Sequence, residues 1–411
     1  MKKTFTNTLY TNDNLFILNG LNSNLVDLIY LDPPFNSKRM YSAPVGSKAA
    51  GTSFKDMWTW DDVNEEYLNT LAEKYPTLPT YIASVGAIHS EAMKAYLTYM
   101  AQRIVEMHRI LKDTGSLYLH CDPTASHYLK VVLDEIFGRN NFRNEIVWCY
   151  RGGGSPKKDF GRRHDVIFRY SKSDDYTFIS DSIRIPYQAE GLGRTDDAMW
   201  GKHKGTDKVY KPNPMGKIPE DWWLMNILNA NDPERTGYPT QKPLALLHRI
   251  IKSSSNEGDI VMDPFCGCAT TCVAAQQLGR KWIGIDIEKQ AVNILMERLS
   301  DDAGLFKNFA NTEDVPQRDD IQIVEPKKSV KERLYKEQNG LCKGCGIEFT
   351  IWNMEIDHII PKSKGGGDYY ENYQLLCSNC NRTKSDSPME LLRLKIKTRT
   401  ELLKKKIFFG K

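Results

Sequence analysis

Much is missing from this 411-residue chain, and each absence removes a class of explanation. No run approaches the roughly 18 consecutive apolar residues of a membrane helix, so no membrane partner is expected. The opening Met1-Lys2-Lys3-Thr4-Phe5-Thr6-Asn7 carries charge but no apolar segment behind it, so no secretory signal is read. Without that signal, nine cysteines, an odd number, argue for thiols or metal in a reducing cytoplasm, not for a disulfide framework. Neither sign of charge prevails: 56 basic against 52 acidic residues leave a net +4, too little to argue for nucleic acid alone. No internal repeat is present, which sets aside solenoids and propellers. With 26% charged and 40% hydrophobic residues the composition is that of an ordinary globular protein. At roughly 150 residues per domain, the length predicts two to three domains.

Distribution says more than totals. Four cysteines form two C-x-x-C pairs within the last seventy residues. From residue 321 onward there are 18 Lys+Arg and 11 Asp+Glu, a net of +7, against −3 for everything before. The polar stretch Asn311 to Lys328, with Pro316 and Pro326, reads as the boundary. The expected domains are therefore 1–315 and 334–411, joined by a linker at 316–333.

Within the larger part, Leu25 to Leu31 and Asp259 to Met262 read as buried strands ending at Asp32-Pro33-Pro34 and Asp263-Pro264. A helical run from Thr270 to Leu278 and a strand from Lys281 to Ile287 follow the second. That order is the βαβ unit of a parallel sheet, so the predicted class is α/β. Met93 to Leu111 has helical periodicity, and Ser116 to His120 is strand-like. Between Asp174 and Pro239 this rhythm stops, which predicts loops or an inserted subdomain.

Asp263-Pro264-Phe265-Cys266-Gly267-Cys268 stands between a strand and a helix, where open α/β sheets bind ligands. Gly267 permits close backbone approach, and Asp286 ends the next strand, suitably placed for ribose hydroxyls. The turn has neither the complete G-x-G-x-x-G nor a Walker lysine, and by itself it is equally a plain strand-to-helix turn. Cys266, Cys268 and Cys272 read as small packing residues. Asp32-Pro33-Pro34-Phe35 is more specific. Two prolines fix the backbone and donate no N–H, so one carboxylate, two carbonyls and an aromatic face are held rigidly. Such an array suits an amino group on a flat base: Asp32 and the Pro33 carbonyl accept its hydrogens while Phe35 stacks on the ring.

Asp32-Pro33-Pro34-Phe35, with Asn12-Asp13-Asn14 before it and the later Asp263-to-Cys268 turn, resembles the DNA amino-methyltransferases. The catalytic motif precedes the cofactor motif, which is the permuted order of the beta class that includes type III modification subunits. Thr240-Gln241-Lys242-Pro243-Leu244, Gly115-Ser116-Leu117-Tyr118 and Asp134-Glu135-Ile136-Phe137-Gly138 are similar to further segments of that class. The resemblance covers most of 1–300 and implies a class I, Rossmann-like fold with a mostly parallel sheet. It implies S-adenosylmethionine as cofactor, bound by Asp263, Phe265, Gly267 and Asp286, with Asp13 and Lys242 contributing. It implies direct methyl transfer to a base flipped out of double-stranded DNA, polarised by Asp32, Pro33, Pro34 and Phe35. An aspartate at the head of the motif favours adenine N6 over cytosine N4. Cys268-Ala269 departs from the family, which often has a second glycine there. The 174–239 insert becomes the target-recognition region. The loop Arg151 to Lys158 with Arg162-Arg163 becomes a phosphate contact.

Cys342-x-x-Cys345 and Cys377-x-x-Cys380 have the spacing of a structural Cys₄ zinc site. Between them lie Asp357-His358, a Gly365-Gly366-Gly367 turn and Asn372, with Asn381 just after the second pair. This resembles the HNH nucleases and their ββα-metal fold. The resemblance makes His358 the general base, Asn372 its orienting residue, and Asp357 with Asn381 the ligands of a Mg²⁺ or Mn²⁺ ion. The alternative is a zinc-framed module that grips DNA without cutting it. Basic residues among leucines from Leu391 to Lys406 suit a DNA backbone or a solvated helix face. The whole reads as a restriction-modification protein, a homodimer being compatible with it. A non-catalytic regulator that senses S-adenosylmethionine is the contrasting reading.

Overall fold

The computed structural model describes residues 6–36, 39–44, 46–50, 53–56, 58–63, 71–72, 74–152, 156–187, 213–229, 231–301, 309–320, 327–389 and 391–398. Residues 188–212 and 230 of the expected insert, Gly153-Gly154-Ser155 of the basic loop and 399–411 of the tail lie outside them. The chain divides into two compact units that are not consecutive in sequence. One comprises 1–11, 24–58 and 107–313; the other comprises 12–23, 59–106 and 314–411.

The first unit is built on β1 (Thr8–Thr11), β2 (Val26–Leu31), β3 (Arg39–Ser42), β4 (Ser53–Asp56), β5 (Leu111–Cys121), β6 (Phe142–Cys149), β7 (His164–Ser171), β8 (Trp222–Leu224), β9 (Ile260–Asp263), β10 (Lys281–Asp286) and β11 (Ala310–Thr312). Apart from the β3–β4 hairpin, they form one sheet in the order β11-β1-β10-β9-β2-β5-β7-β6-β8. It is mostly parallel; only β7 runs against its neighbours β5 and β6. Every residue of β2 is buried, as suits an inner parallel strand that is apolar but for Asp27. Asp27, the one charge in that run, accepts from Lys112 of β5 at 2.8 Å and from the Ile260 N–H of β9 at 2.9 Å. It thereby ties three adjacent strands. The order β10-β9-β2 puts Asp286, Asp263 and Asp32 at the carboxyl ends of neighbouring strands, about 4.8 Å apart per step.

The helix Thr270–Gln277 buries Val273, Ala274 and Ala275 after a turn in which Gly267 has φ +51°. A Cβ at Gly267 would also meet the Tyr238 ring at 3.0 Å. Ala269 adopts φ +57°, the left-handed region, which explains why glycine suits that position.

In the second unit, β12 (Met354–His358) and β13 (Tyr373–Cys377) pair antiparallel, and the helix Ser378–Lys384 follows. Val330, Leu334, Met354, Leu375, Leu376 and Leu392 form its core. The segment 314–320 is fastened to 12–23, with Arg318 donating to Ser23 Oγ at 3.1 Å and the Asp319 N–H to Asn22 Oδ1 at 3.0 Å. The Gly365 turn lies on the backbone of the helix Asn14–Gly20; a Cβ there would fall 2.4 Å from the Phe16 carbonyl oxygen. Those bonds and that close approach are why 12–23 groups with the C-terminal part. Among the described residues no helix is long and apolar enough to cross a membrane.

Candidate active sites

The strand ends assemble the first site. Lys242 is buried, and its Nζ donates to Asp32 Oδ2 while lying 5.8 Å from the Phe35 ring centroid. The other oxygen, Asp32 Oδ1, is buried and meets no donor among the described residues. Phe35 lies nearly parallel to the His120 ring, at 6.1 Å and 27°. His120 is fully buried; Nδ1 pairs with the Tyr30 hydroxyl at 2.9 Å and Nε2 with Asp165 Oδ2 at 3.2 Å. Burial, then the charges of Asp32, Asp263 and Asp165, push the Tyr30 phenol far above its ordinary value. Burial works to raise Asp165, but the His120 hydrogen bond and charge, then Lys242, hold it below the usual carboxylate range. The site is thus a cluster of carboxylates with Lys242 as its inner cation.

On the next strands, Asp263 accepts from the Phe265 N–H at 3.0 Å and from Thr271 Oγ1 at 2.5 Å. Asp286 accepts from the Gly267 N–H at 2.7 Å and the Glu288 N–H at 2.8 Å. Burial pushes Asp263 up to about 7 and Asp286 up to about 6, against those hydrogen bonds. Two carboxylates this reluctant to ionise, Asp263 buried and Asp286 half-buried, suit a cation and hydroxyl donors. Asp13 belongs to the second unit. It caps the helix Asn14–Gly20 through the Leu15 N–H at 2.8 Å and pairs with buried Arg103 at 3.0 Å.

In the second unit the Sγ atoms of Cys342, Cys345, Cys377 and Cys380 lie within 4.8 Å of one another, and none is in a disulfide. Tetrahedral zinc with Zn–S near 2.3 Å needs sulfurs about 3.8 Å apart, so the four thiols fit it. Burial works against ionisation of Cys342, but N–H groups of Cys345, Cys377 and Gly344 hold its thiol below the ordinary value. Gly344 is required in this knuckle: a Cβ would fall 2.9 Å from both Cβ and Sγ of Cys380.

The same unit holds a cleft of about 370 Å³ lined by Asp357, His358, Pro361, Lys362 and Lys384, among others. His358 Nε2 is 2.8 Å from Asp368 Oδ1, which also accepts from the Tyr373 hydroxyl at 3.1 Å. Burial opposes it, but hydrogen bonds from Lys362, His358 and Tyr373 bring Asp368 down to about 2. The buried amide of Asn372 accepts from the Ile360 N–H at 2.8 Å and donates to the carbonyls of Ile360 and Gly367 at 3.1 and 3.0 Å. It therefore shapes the loop after His358, and Asp368 is the group on the imidazole. Asp357 Oδ2 accepts from Gln374 at 2.8 Å and from buried Lys384 at 3.1 Å; Lys384 also donates to the His358 carbonyl at 2.8 Å. The Asn381 amide nitrogen goes to Glu355 Oε2.

Two family models match the chain: DNA methylase over residues 26–297 and HNH endonuclease over 342–387. The chain belongs to the DNA methylase family. The DNA adenine methyltransferase YhdJ of Escherichia coli (strain K12) is 32% identical over 216 residues, covering 52% of this chain and 70% of that protein. The type II methyltransferase M.BglII of Bacillus subtilis is 29% identical over 281 residues, covering 67% and 71%. M.HpaI of Haemophilus parainfluenzae is 28% identical over 295 residues, covering 71% and 74%.

The protein is accordingly an S-adenosylmethionine-dependent DNA amino-methyltransferase of class I α/β fold with a C-terminal HNH domain. The donor chemistry of Asp263 and Asp286 fits that cofactor, which supplies an electrophilic methyl group on a sulfonium. Sequence reasoning placed Lys242 with the cofactor; in the methyltransferase it is bonded to Asp32. It missed His120, Asp165, Asp368 and Lys384. For His120 a signal existed, a polar ring inside the apolar strand 116–120. Asp368 had none beyond its place after a glycine turn.

Proposed function

We propose that the chain methylates adenine N6 at a specific site in double-stranded DNA and that its HNH domain cuts DNA lacking that mark. The observation that carries the first half is the buried Asp32 Oδ1, which meets no donor among the described residues and heads the Asp32-Pro33-Pro34-Phe35 turn. An exocyclic amine is a poor nucleophile because its lone pair is delocalised into the ring. Hydrogen bonds from both its hydrogens to Asp32 and the Pro33 carbonyl favour a pyramidal nitrogen. As the methyl group arrives the nitrogen becomes cationic, and Asp32 is the acceptor nearest to hand for the proton it loses. Asp263, Phe265, Gly267 and Asp286 bind the cofactor, Asp286 through the ribose; Asp13 is the further candidate. The head aspartate and the likeness to an adenine methyltransferase favour adenine over cytosine N4.

For the second half, His358 is the general base that activates water, its ring held by Asp368 and the loop after it by Asn372. Asp357 and the carbonyl oxygen of Asn381 are the hard donors for Mg²⁺ or Mn²⁺. The methyltransferase region is 1–315, the linker 316–333 and the nuclease module 334–411, a division that leaves 14 Lys+Arg against 9 Asp+Glu, a net +5, in the cutting part. Its substrate places it in the cytoplasm. A homodimer would present two clefts to two strands, and sedimentation on and off DNA measures it.

One experiment tests the modification. Genomic DNA of a methylation-free host expressing the protein is sequenced with modified-base detection, beside the Asp32→Ala chain. A single N6-methyladenine motif lost with Asp32→Ala is expected; no new motif with the unaltered protein overturns it. Cutting is tested on unmodified DNA with Mg²⁺ or Mn²⁺ against His358→Ala. DNA left intact at every metal leaves a module that only binds.

A further inference from the structure

The loop from β6 to β7 holds an aromatic ring in water. Phe160 is 97% exposed, the most exposed large apolar side chain among the described residues. Lone exposed apolar groups are common, so its surroundings decide what it means. Lys157, Lys158 and Arg162 are exposed around it, with Arg163 partly so and Asp159 the one acid between them. The stem closes with the Tyr150 N–H on the Arg163 carbonyl at 3.0 Å. Directly below, the Tyr150 hydroxyl reaches Asp165 Oδ1 at 3.3 Å, and Asp165 holds His120, the ring facing Phe35. The loop therefore rises from a stem joined through Asp165 to the ring that faces Phe35.

From this juxtaposition we infer that Phe160 is a wedge that enters the duplex where the target base leaves the stack. The inference rests on the methyl-transfer reading. Extruding a base costs its stacking and pairing, and an apolar ring filling the gap offsets that cost. The flanking cations grip the phosphates on either side and fix where the ring enters.

The test uses the full chain, no added divalent ion, and labelled methyl transfer to two duplexes bearing the modified site. In one the target base is paired; in the other it faces an abasic position and is already loosened. Phe160→Ala should slow transfer to the paired duplex about tenfold or more, yet stay within about threefold on the abasic one. Phe160→Trp should restore the paired rate. The double variant Lys157→Ala/Lys158→Ala should weaken both duplexes alike and flatten the salt dependence. A Phe160→Ala chain slowed equally on both duplexes, or on neither, overturns the wedge. An unaltered chain that transfers nothing to either duplex sinks the methyl-transfer reading, and the wedge falls with it.

Discussion

The ammonium of Lys242 rests on the carboxylate of Asp32, its partner from 210 residues away in sequence. Both groups are largely buried, with side-chain exposures of 9% and 16%. Removing one member of such a pair strands the other charge, which typically costs about 3–5 kcal/mol. Lys242→Met should therefore lower the melting temperature. It should also slow methyl transfer, because the lysine no longer fixes one carboxylate oxygen and so no longer holds the other for the amine. Single-turnover transfer, measured beside the melting temperature, reads the two effects separately. Lys242→Met/Asp32→Asn should regain stability without activity. An unaltered transfer rate in Lys242→Met would show that the lysine serves another group.

As the residues proposed to hold the cofactor, Asp263 and Asp286 would tie its binding to protons. Their folded-state values, about 7 and about 6, lie above the ordinary carboxylate value. The folded state then holds protons more tightly than the unfolded one. Stability from this source is complete below about pH 4 and is lost as pH rises toward 7. The unliganded melting temperature should decline across that window, and Asp263→Asn should flatten the decline. A sulfonium bound nearby favours the ionised carboxylates, so S-adenosylmethionine should expel protons on binding between about pH 6 and 7. Calorimetry in two buffers of different ionisation enthalpy reads this directly, and equal heats would refute it.

How much of this was legible beforehand follows from the range of each interaction. β2, β9 and β10 are short apolar runs ending in turn chemistry, so strand, turn and carboxylate could be read within ten residues of one another. The Cys₄ frame is encoded by spacing alone. Lys242 on Asp32 was not legible, because only the strand order and the turn before the helix Leu244–Ser254 bring them together. His358 on Asp368 depends on β12 pairing with β13, which folds the glycine turn back beneath the imidazole. Nor could a sequence show that 12–23 groups with 314–320, since the fastening consists of scattered polar bonds.

Zinc should be structural and separable from transfer chemistry. Gly344→Ala sets a methyl group against Cys380, and overpacking of this kind typically costs about 1–3 kcal/mol. The variant should retain less than one zinc per chain after dialysis against a mild chelator, by elemental analysis, whereas the parent keeps one. Loss of zinc should unfold the β12–β13 module first, because metal binding is much of its folding energy. Full zinc retention by Gly344→Ala would mean that the knuckle relaxes around the extra carbon.

With His358 as the proposed general base, Asp368 would set which of its nitrogens does the work. Held down to about 2, its carboxylate stays ionised at any working pH and can only accept a hydrogen bond. His358 Nε2 must then carry the proton it shares with Asp368, which leaves Nδ1 as the basic lone pair. Asp368→Ala frees the ring to rotate and to take the other tautomer, so cleavage should fall in rate more than in DNA affinity. General-base contributions are typically 10²–10⁴-fold, and a loss of about 10²-fold is expected for a partner acting through the base. Asp368→Glu should recover part of it, since a longer carboxylate can still accept from Nε2. Plasmid nicking under single-turnover conditions, with binding measured separately, distinguishes the cases: a pure affinity loss would assign Asp368 to DNA contact instead.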